Sequence, residues 1–192
     1  MKSIILASRS PRRQELLNQI GIKFRVETAD VEEERGQGRA ARSICRRNAL
    51  AKAQVVAGQF PKQTVLGADT LVHLGDELLG KPASLTGARR MLGRLSGQTH
   101  HVTTACALVQ GTGKKVFSVT TRVRFRKLNN RQINKYLRTV SVLDKAGAYA
   151  VQEKGEWLIE AIHGSLTNVV GLPLERLQSE LSAWFDTASR RT

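Results

Sequence analysis

Several features that mark whole classes of protein are scarce in this chain. Its 192 residues hold two cysteines, Cys45 and Cys106, far apart. Such a pair makes neither a disulfide framework nor a metal cluster, and both residues read as small buried thiols in a reducing compartment. No apolar run approaches the ~20 residues of a membrane span. The N-terminal run breaks at Ser8 and Arg9, too early for a signal peptide. The expected location is therefore cytoplasmic, with no membrane partner. Aromatics are only 5% of the chain, so stacking platforms for bases are few. No zinc finger, RNP-type strand motif or basic zipper is present. Acidic residues are also short: 16 Asp and Glu face 31 Lys and Arg, for a net charge of +15. That field attracts nucleic acid, anionic lipid or phosphorylated small molecules without choosing among them. Its clusters lie at Arg39 to Arg47, Arg122 to Lys127 and Arg131 to Arg138, and most of it reads as solvated surface.

Apolar residues make up 41% of the chain, enough to bury a core. Ile4 to Ala7 is a continuous apolar run, as in a strand covered on both faces. Pro11 to Ile20 reads as a helix stopped by Gly21, and Phe24 to Thr28 as a returning strand. Residues 30 to 38 form an acidic, then Gly-rich, loop. Arg39 to Gly58 is a long helix with Ile44, Leu50 and Val55 among its apolar positions. Val65 to Leu74 is a strand, Leu78 to Pro82 leads away from it, and Thr86 to Leu95 is a capped helix. Val102 to Gln110 and Lys115 to Lys127 flank Gly111-Thr112-Gly113, a hairpin signal. Asn130 to Val140 is a helix, Trp157 to Ile162 a strand followed by a loop, and Pro173 to Phe185 a last helix, with about 186–192 as a loose tail. Helices and strands interleave, so the class is α/β with a mixed sheet, in one domain.

Four stretches break local rules. In ASRSPRRQELL (7 to 17) a helix starts with Ser10 and Pro11, yet Arg12 and Arg13 follow at an end that prefers acids. A strand, a serine-containing turn and a helix N-terminus make an anion site, and arginines belong there if a phosphate does. Asp69 sits inside the apolar strand TVLGADTLV. It is either a strand-end residue in water, with Gly67 marking a bend, or a metal ligand or base. ADVEEE (29 to 34) is the one dense acidic cluster, where carboxylates such as Glu32 and Glu33 suggest Mg²⁺ beside a phosphate site. Lys81, in LLGKP (78 to 82), precedes a proline in an extended segment.

The segments LASRSPRRQELL, VLGADTLV, LGKP, RMLGRLSGQTH, LDKAGAYAVQ and NVVGLPLE together resemble the Maf family of nucleoside triphosphate pyrophosphatases, in the Maf/Ham1 (ITPase-like) superfamily. The likeness runs in unbroken order from Ile4 to about Leu181. It implies an elongated α/β sheet in two lobes around a cleft, usually in a homodimer. It implies hydrolysis between the α and β phosphates with Mg²⁺ or Mn²⁺, giving a monophosphate and pyrophosphate. By the resemblance, Ser8, Ser10, Arg12 and Arg13 bind phosphate. Glu32 falls at the acidic position after the second strand. Lys52 matches the family's helix lysine, Asp69 its central carboxylate and Lys81 the lysine of the cleft. Asp69 and Glu32 are the implied metal ligands, and either could be the base.

Arg12-Arg13, Thr70 after Asp69, and Gln152 side with the branch resembling dTTP and UTP pyrophosphatases. A glutamine amide offers both a donor and an acceptor to the edge of uracil or thymine. The branch acting on 7-methyl-GTP tends to have Trp at the place of Arg12 and Ser-Asp-Gln at that of Ala68-Asp69-Thr70. Glu153 stands where relatives often have glycine, beside the expected base pocket. Asp144 and Lys145 either belong to the cleft or pair with each other. The four histidines read as structural or surface residues. The family is also linked to inhibition of septum formation. The rival of another class is a nucleic-acid-binding division regulator without catalysis.

Overall fold

The computed structural model describes residues 3–28, 30–34 and 40–189. In chain order the elements are β1 (Ile4–Ala7), α1 (Pro11–Gln19), β2 (Phe24–Val26), α2 (Ala41–Gln59), β3 (Val65–Leu74), β4 (Glu77–Leu79) and α3 (Leu85–Leu95). Then follow β5 (Thr99–Gln110), β6 (Gly113–Phe125), α4 (Asn130–Thr139), β7 (Ile159–His163), α5 (Leu166–Val170) and α6 (Leu174–Ser189). One mixed sheet runs β2-β1-β3-β5-β6-β7, with β4 paired to β3. β1 is parallel to both its neighbours, and the rest of the sheet is antiparallel. The expected mixed α/β sheet is therefore present.

The two faces of β1 explain its unbroken apolar run. Ile4 and Leu6 join Leu16 and Leu17 of α1 and Leu177 and Leu181 of α6 on one face. Ile5 and Ala7 join Cys45, Ala49 and Ala53 of α2 on the other. Further along the long strands, α3 and α4 cover Val72, Val102, Val123 and Phe125 in a separate apolar cluster. Its partners Ala88, Leu92, Ile133 and Tyr136 recur at helical spacing. On the face shared by α1, α6, α3 and α4, a polar seam divides the two clusters. Thr70, Thr104 and Thr121 form it, at alternate positions between the apolar residues of β3, β5 and β6.

Some boundaries differ from the sequence reading. Leu78 and Leu79 form a short hairpin strand with β3 rather than leading away. Gly155–Trp157 is a 3-10 turn, so β7 begins only at Ile159. The loop before the last helix contains α5, capped by the Ser165 side chain. α6 continues past Phe185 to Ser189, and residues 190–192 lie outside the described residues. So do the Gly-rich stretch 35–39, the Arg39 start of the long helix, and Ala29.

The inward side of α2 is made of Ile44, Cys45, Ala49, Ala53, Val56 and Ala57, while Val55 is exposed and Leu50 only half-buried. Gly67 explains the preference for small residues. A Cβ there would stand 2.2 Å from the Ala49 carbonyl oxygen and 2.8 Å from the Ala53 nitrogen. The glycine thus marks a close approach of helix to strand, not a bend. Gly67→Ala is expected to destabilise the fold by roughly 3 kcal/mol, the upper end for overpacking, because backbone rather than a flexible side chain must move. Urea unfolding measures it, and a loss below about 1 kcal/mol would mean that α2 can ride up at little cost.

Candidate active site

β1 ends at Ala7, opposite Gly67 of β3. β4 pairs with β3 only from Val72 onward. Between these partners, Ala68 to Leu71 has β5 on one side and no strand on the other among the described residues. The opening lies beyond the carboxyl end of a parallel strand, where open α/β sheets commonly place ligands. Asp69 and Thr70 sit in it, and as strand neighbours they point to opposite faces.

Asp69 faces α2. It is 5% exposed, which removes the reading of a strand end in water. Lys52 Nζ donates to Asp69 Oδ1 at 2.7 Å, and Asn48 Nδ2 to Asp69 Oδ2 at 3.1 Å. Asn48 and Lys52 are one helical turn apart, so they share a face of α2. Lys52 Nζ is also 2.7 Å from Glu33 Oε1. The acidic segment is held by Asn48 in both directions: its Oδ1 accepts from Glu34 N at 2.9 Å, and its Nδ2 donates to Glu34 O at 3.1 Å. Arg47 pairs with the Glu34 carboxylate. This grip sets which of the successive side chains turns inward.

The inward one is Glu33. Glu32, the sequence candidate, is exposed and makes no hydrogen bond or ion pair with the described residues. Partial burial raises the Glu33 pKa, but the Lys52 hydrogen bond and the charges of Lys52, Lys81 and Arg13 outweigh it. The group ionises below the ordinary glutamate range. Lys81 is exposed, and its Gly80 neighbour accepts a hydrogen bond from Gly147 N at 3.2 Å.

Thr70 faces the polar seam and α1. Arg13 Nη2 donates to Thr70 Oγ1 at 3.0 Å, Nη1 to Ser8 Oγ at 3.0 Å, and Nε to the Gly171 carbonyl at 3.1 Å. Gly171 has φ +135°, a conformation that side-chain-bearing residues rarely adopt. A guanidinium has five N–H donors, so two of Arg13 remain for a ligand. Thr70 in turn meets Thr104 Oγ1 at 3.0 Å, and Thr104 donates to Asn168 O at 2.9 Å. The Ser10 side chain makes no capping bond, which leaves the first-turn amides of Arg12 and Arg13 unclaimed by it.

Arg12 points the other way, 4.0 Å from Glu153. Glu153 is also 3.2 Å from Lys145, a buried lysine that donates to Asp144 Oδ1 at 2.9 Å. Asp144 and Lys145 therefore pair, and through Glu153 they connect to Arg12. Gln152 is exposed and makes no hydrogen bond with the described residues. Sequence reasoning missed Asn48, Glu153 as an ion-pair partner, and the Gly171 carbonyl.

The donor set fits a small hard cation. Two carboxylates, Asp69 and Glu33, converge on one ammonium, and no group of three His, Cys, Asp or Glu side chains forms a metal cage among the described residues. Mg²⁺ characteristically takes one or two carboxylates and completes its shell with water and substrate phosphate. Cys45, beside Asp69, donates to its carbonyl at 3.0 Å, and burial pushes its thiol pKa up. It is a structural thiol.

The family model described as Maf-like protein matches residues 3–184. A dTTP/UTP pyrophosphatase of Myxococcus xanthus is 50% identical over 171 residues, covering 89% of this chain and 87% of its own. Its counterpart in Akkermansia muciniphila is 47% identical, covering 89% and 90%. That of Symbiobacterium thermophilum is 48% identical, covering 92% and 91%. Among solved structures, the Ham1 protein of Staphylococcus aureus overlays with a TM-score of 0.54 at 18% identity, covering 95% of this chain and 99% of its own, a likeness of fold. With the motifs in order and the family model spanning nearly the whole sequence, the chain belongs to the Maf family.

Proposed function

We propose that this protein is a pyrophosphatase that cleaves dTTP and UTP between the α and β phosphates, releasing the monophosphate and pyrophosphate. The observation that carries the reading is the opening beside β3. On one face it holds the buried Asp69, bridged by Lys52 to the half-exposed Glu33, and on the other an arginine with two spare donors. Relatives that cover the same length bear that activity in their names.

The triphosphate lies over the start of α1. The spare N–H groups of Arg13, Ser10 and the helix amides face its oxygens, and Arg12 joins them by turning from Glu153. Lys52 and Lys81 add positive charge where the leaving pyrophosphate gains negative charge. Asp69 and Glu33 would hold Mg²⁺ or Mn²⁺, which supplies charge neutralisation and polarises phosphoryl oxygen when bound. Asp69, fixed by Lys52 and Asn48 on separate oxygens, orients the attacking water in line with the scissile bond. Glu32 is left to the solvent side of this arrangement. Thr70 positions Arg13 instead of meeting substrate alone.

A substrate panel tests the reading: UTP, dTTP, CTP, 7-methyl-GTP, ITP and ordinary purine triphosphates, each with Mg²⁺ or Mn²⁺, with products separated. UTP and dTTP are expected to lead. A lead by 7-methyl-GTP would overturn the pyrimidine assignment, and no cleavage with either metal would overturn the enzyme itself. Gln152→Ala is expected to narrow the gap between pyrimidine and purine substrates about tenfold, with a smaller effect on the best rate. An unchanged ratio would remove Gln152 as the reader of the base.

The chemistry suits a cytoplasmic house-cleaning role against surplus or altered pyrimidine triphosphates. No helix among the described residues is long and apolar enough to cross a membrane. The family resemblance further implies a homodimer and a link to septum arrest, which sedimentation and a division phenotype on overexpression would check.

A further inference from the structure

The positive charge of this chain is unevenly placed. From Leu78 to Leu143 there are 66 consecutive residues with thirteen Lys and Arg and no Asp or Glu. That segment builds α3, β5, β6 and α4. Some of its cations are matched from elsewhere: Arg94 pairs with Glu77, Lys115 with Glu180 and Arg124 with Glu160. Those of α4 are not. Arg131, Lys135 and Arg138 have no ion-pair partner among the described residues.

These three occupy positions i, i+4 and i+7, one stripe on the side of α4 opposite its buried Ile133 and Tyr136. With Asn134 and Thr139 they line a surface groove of about 670 Å³. The Asn134 side-chain oxygen is shielded from solvent and has no hydrogen-bond partner. An aromatic ring adjoins this stripe. Lys135 Nζ lies over the half-buried Trp157 ring, 4.4 Å from its centre, and Lys154 Nζ over it at 5.7 Å, so a base stacks there when Lys135 leaves the ring for a phosphate.

We propose that the α4 groove binds the backbone of single-stranded nucleic acid, with Trp157 as the platform on which one base stacks. Cations following one helical stripe suit successive phosphates, and an aromatic face beside them suits a base whatever its sequence. A simple polyanion would need only the charges. The active-site cluster contributes none of these groups, so binding here and hydrolysis in the cleft are separable.

The test is fluorescence anisotropy of a labelled oligothymidylate with the full chain, across a salt series. The parent is expected to bind with a log K that falls steeply with log salt. The triple variant Arg131→Ala/Lys135→Ala/Arg138→Ala should bind at least about tenfold more weakly, with a shallower slope, and keep its dTTP hydrolysis. Trp157→Leu should weaken the oligonucleotide several-fold while leaving the affinity for inorganic polyphosphate unchanged. Circular dichroism checks that each variant is folded. Equal binding by parent and triple variant would overturn the groove. Equal losses of oligonucleotide and polyphosphate in Trp157→Leu would overturn the base platform. Anionic phosphatidylglycerol vesicles, bound through the same three cations in preference to the oligonucleotide, would overturn nucleic acid as the partner.

Discussion

Replacing Asp69 by asparagine is expected to lower the rate of pyrophosphate release by at least about 10³-fold while the chain still folds. Asparagine keeps the shape but only one acceptor oxygen; turned toward Asn48, it leaves Lys52 facing an amide N–H. What disappears is the negative charge that would hold the cation and orient the water. Lys52 then has only Glu33, whose side chain is about half exposed at 49%. Because that counter-ion remains, the stability cost should be about 1–3 kcal/mol, below the 3–5 of a buried pair broken outright. The measurement is a rate with saturating dTTP beside a thermal melt. A variant within tenfold of the parent rate would strip Asp69 of its role.

Arg13 is expected to separate charge from geometry. Arg13→Lys keeps one positive charge but cannot reach Ser8, Thr70 and the Gly171 carbonyl from one planar group. kcat/KM should fall about 100-fold in Arg13→Lys and about 1,000-fold in Arg13→Ala. The alanine variant also loses three hydrogen bonds from a charged donor and should be roughly 2–4 kcal/mol less stable. That corresponds to a melting temperature lower by roughly 4–16 °C for a chain of this size. If lysine restores full activity, the site needs only charge there, and the fork described above is incidental.

Much of this arrangement was legible from residue order because the physics is local. The apolar run of β1 marks burial on both faces, and the apolar stretch from Val65 to Leu74 coincides with β3. The out-of-place arginines point to an anion site; in the structure three Arg13 donors go to Ser8, Thr70 and Gly171, and Arg12 lies beside Glu153. Other features carry little local mark. α5 has five residues, too few for a 3.6-residue pattern to declare itself. Whether Glu32 or Glu33 turns inward depends on Asn48, more than a dozen residues away, which no spacing rule contains. Asn48 itself left a trace, since asparagine is a poor choice for a helix interior and here stands one turn before Lys52. Gly171 acts through its carbonyl, a group every residue has, so only the fold could single it out.

The Arg13 to Gly171 bond also has a meaning in time. Its partners are 158 residues apart in the chain. A ribosome adding about 5–20 residues per second makes the first partner roughly 8–32 s before the second. Over the last 102 residues of that interval, from Asp69 to Gly171, the nascent chain contains Arg13, Lys52 and Asp69 but cannot finish the arginine fork. The fork thus cannot be completed before the C-terminal segment is made, and a chain ending short of Gly171 would carry Arg13, Lys52 and Asp69 without this means to aim the arginine.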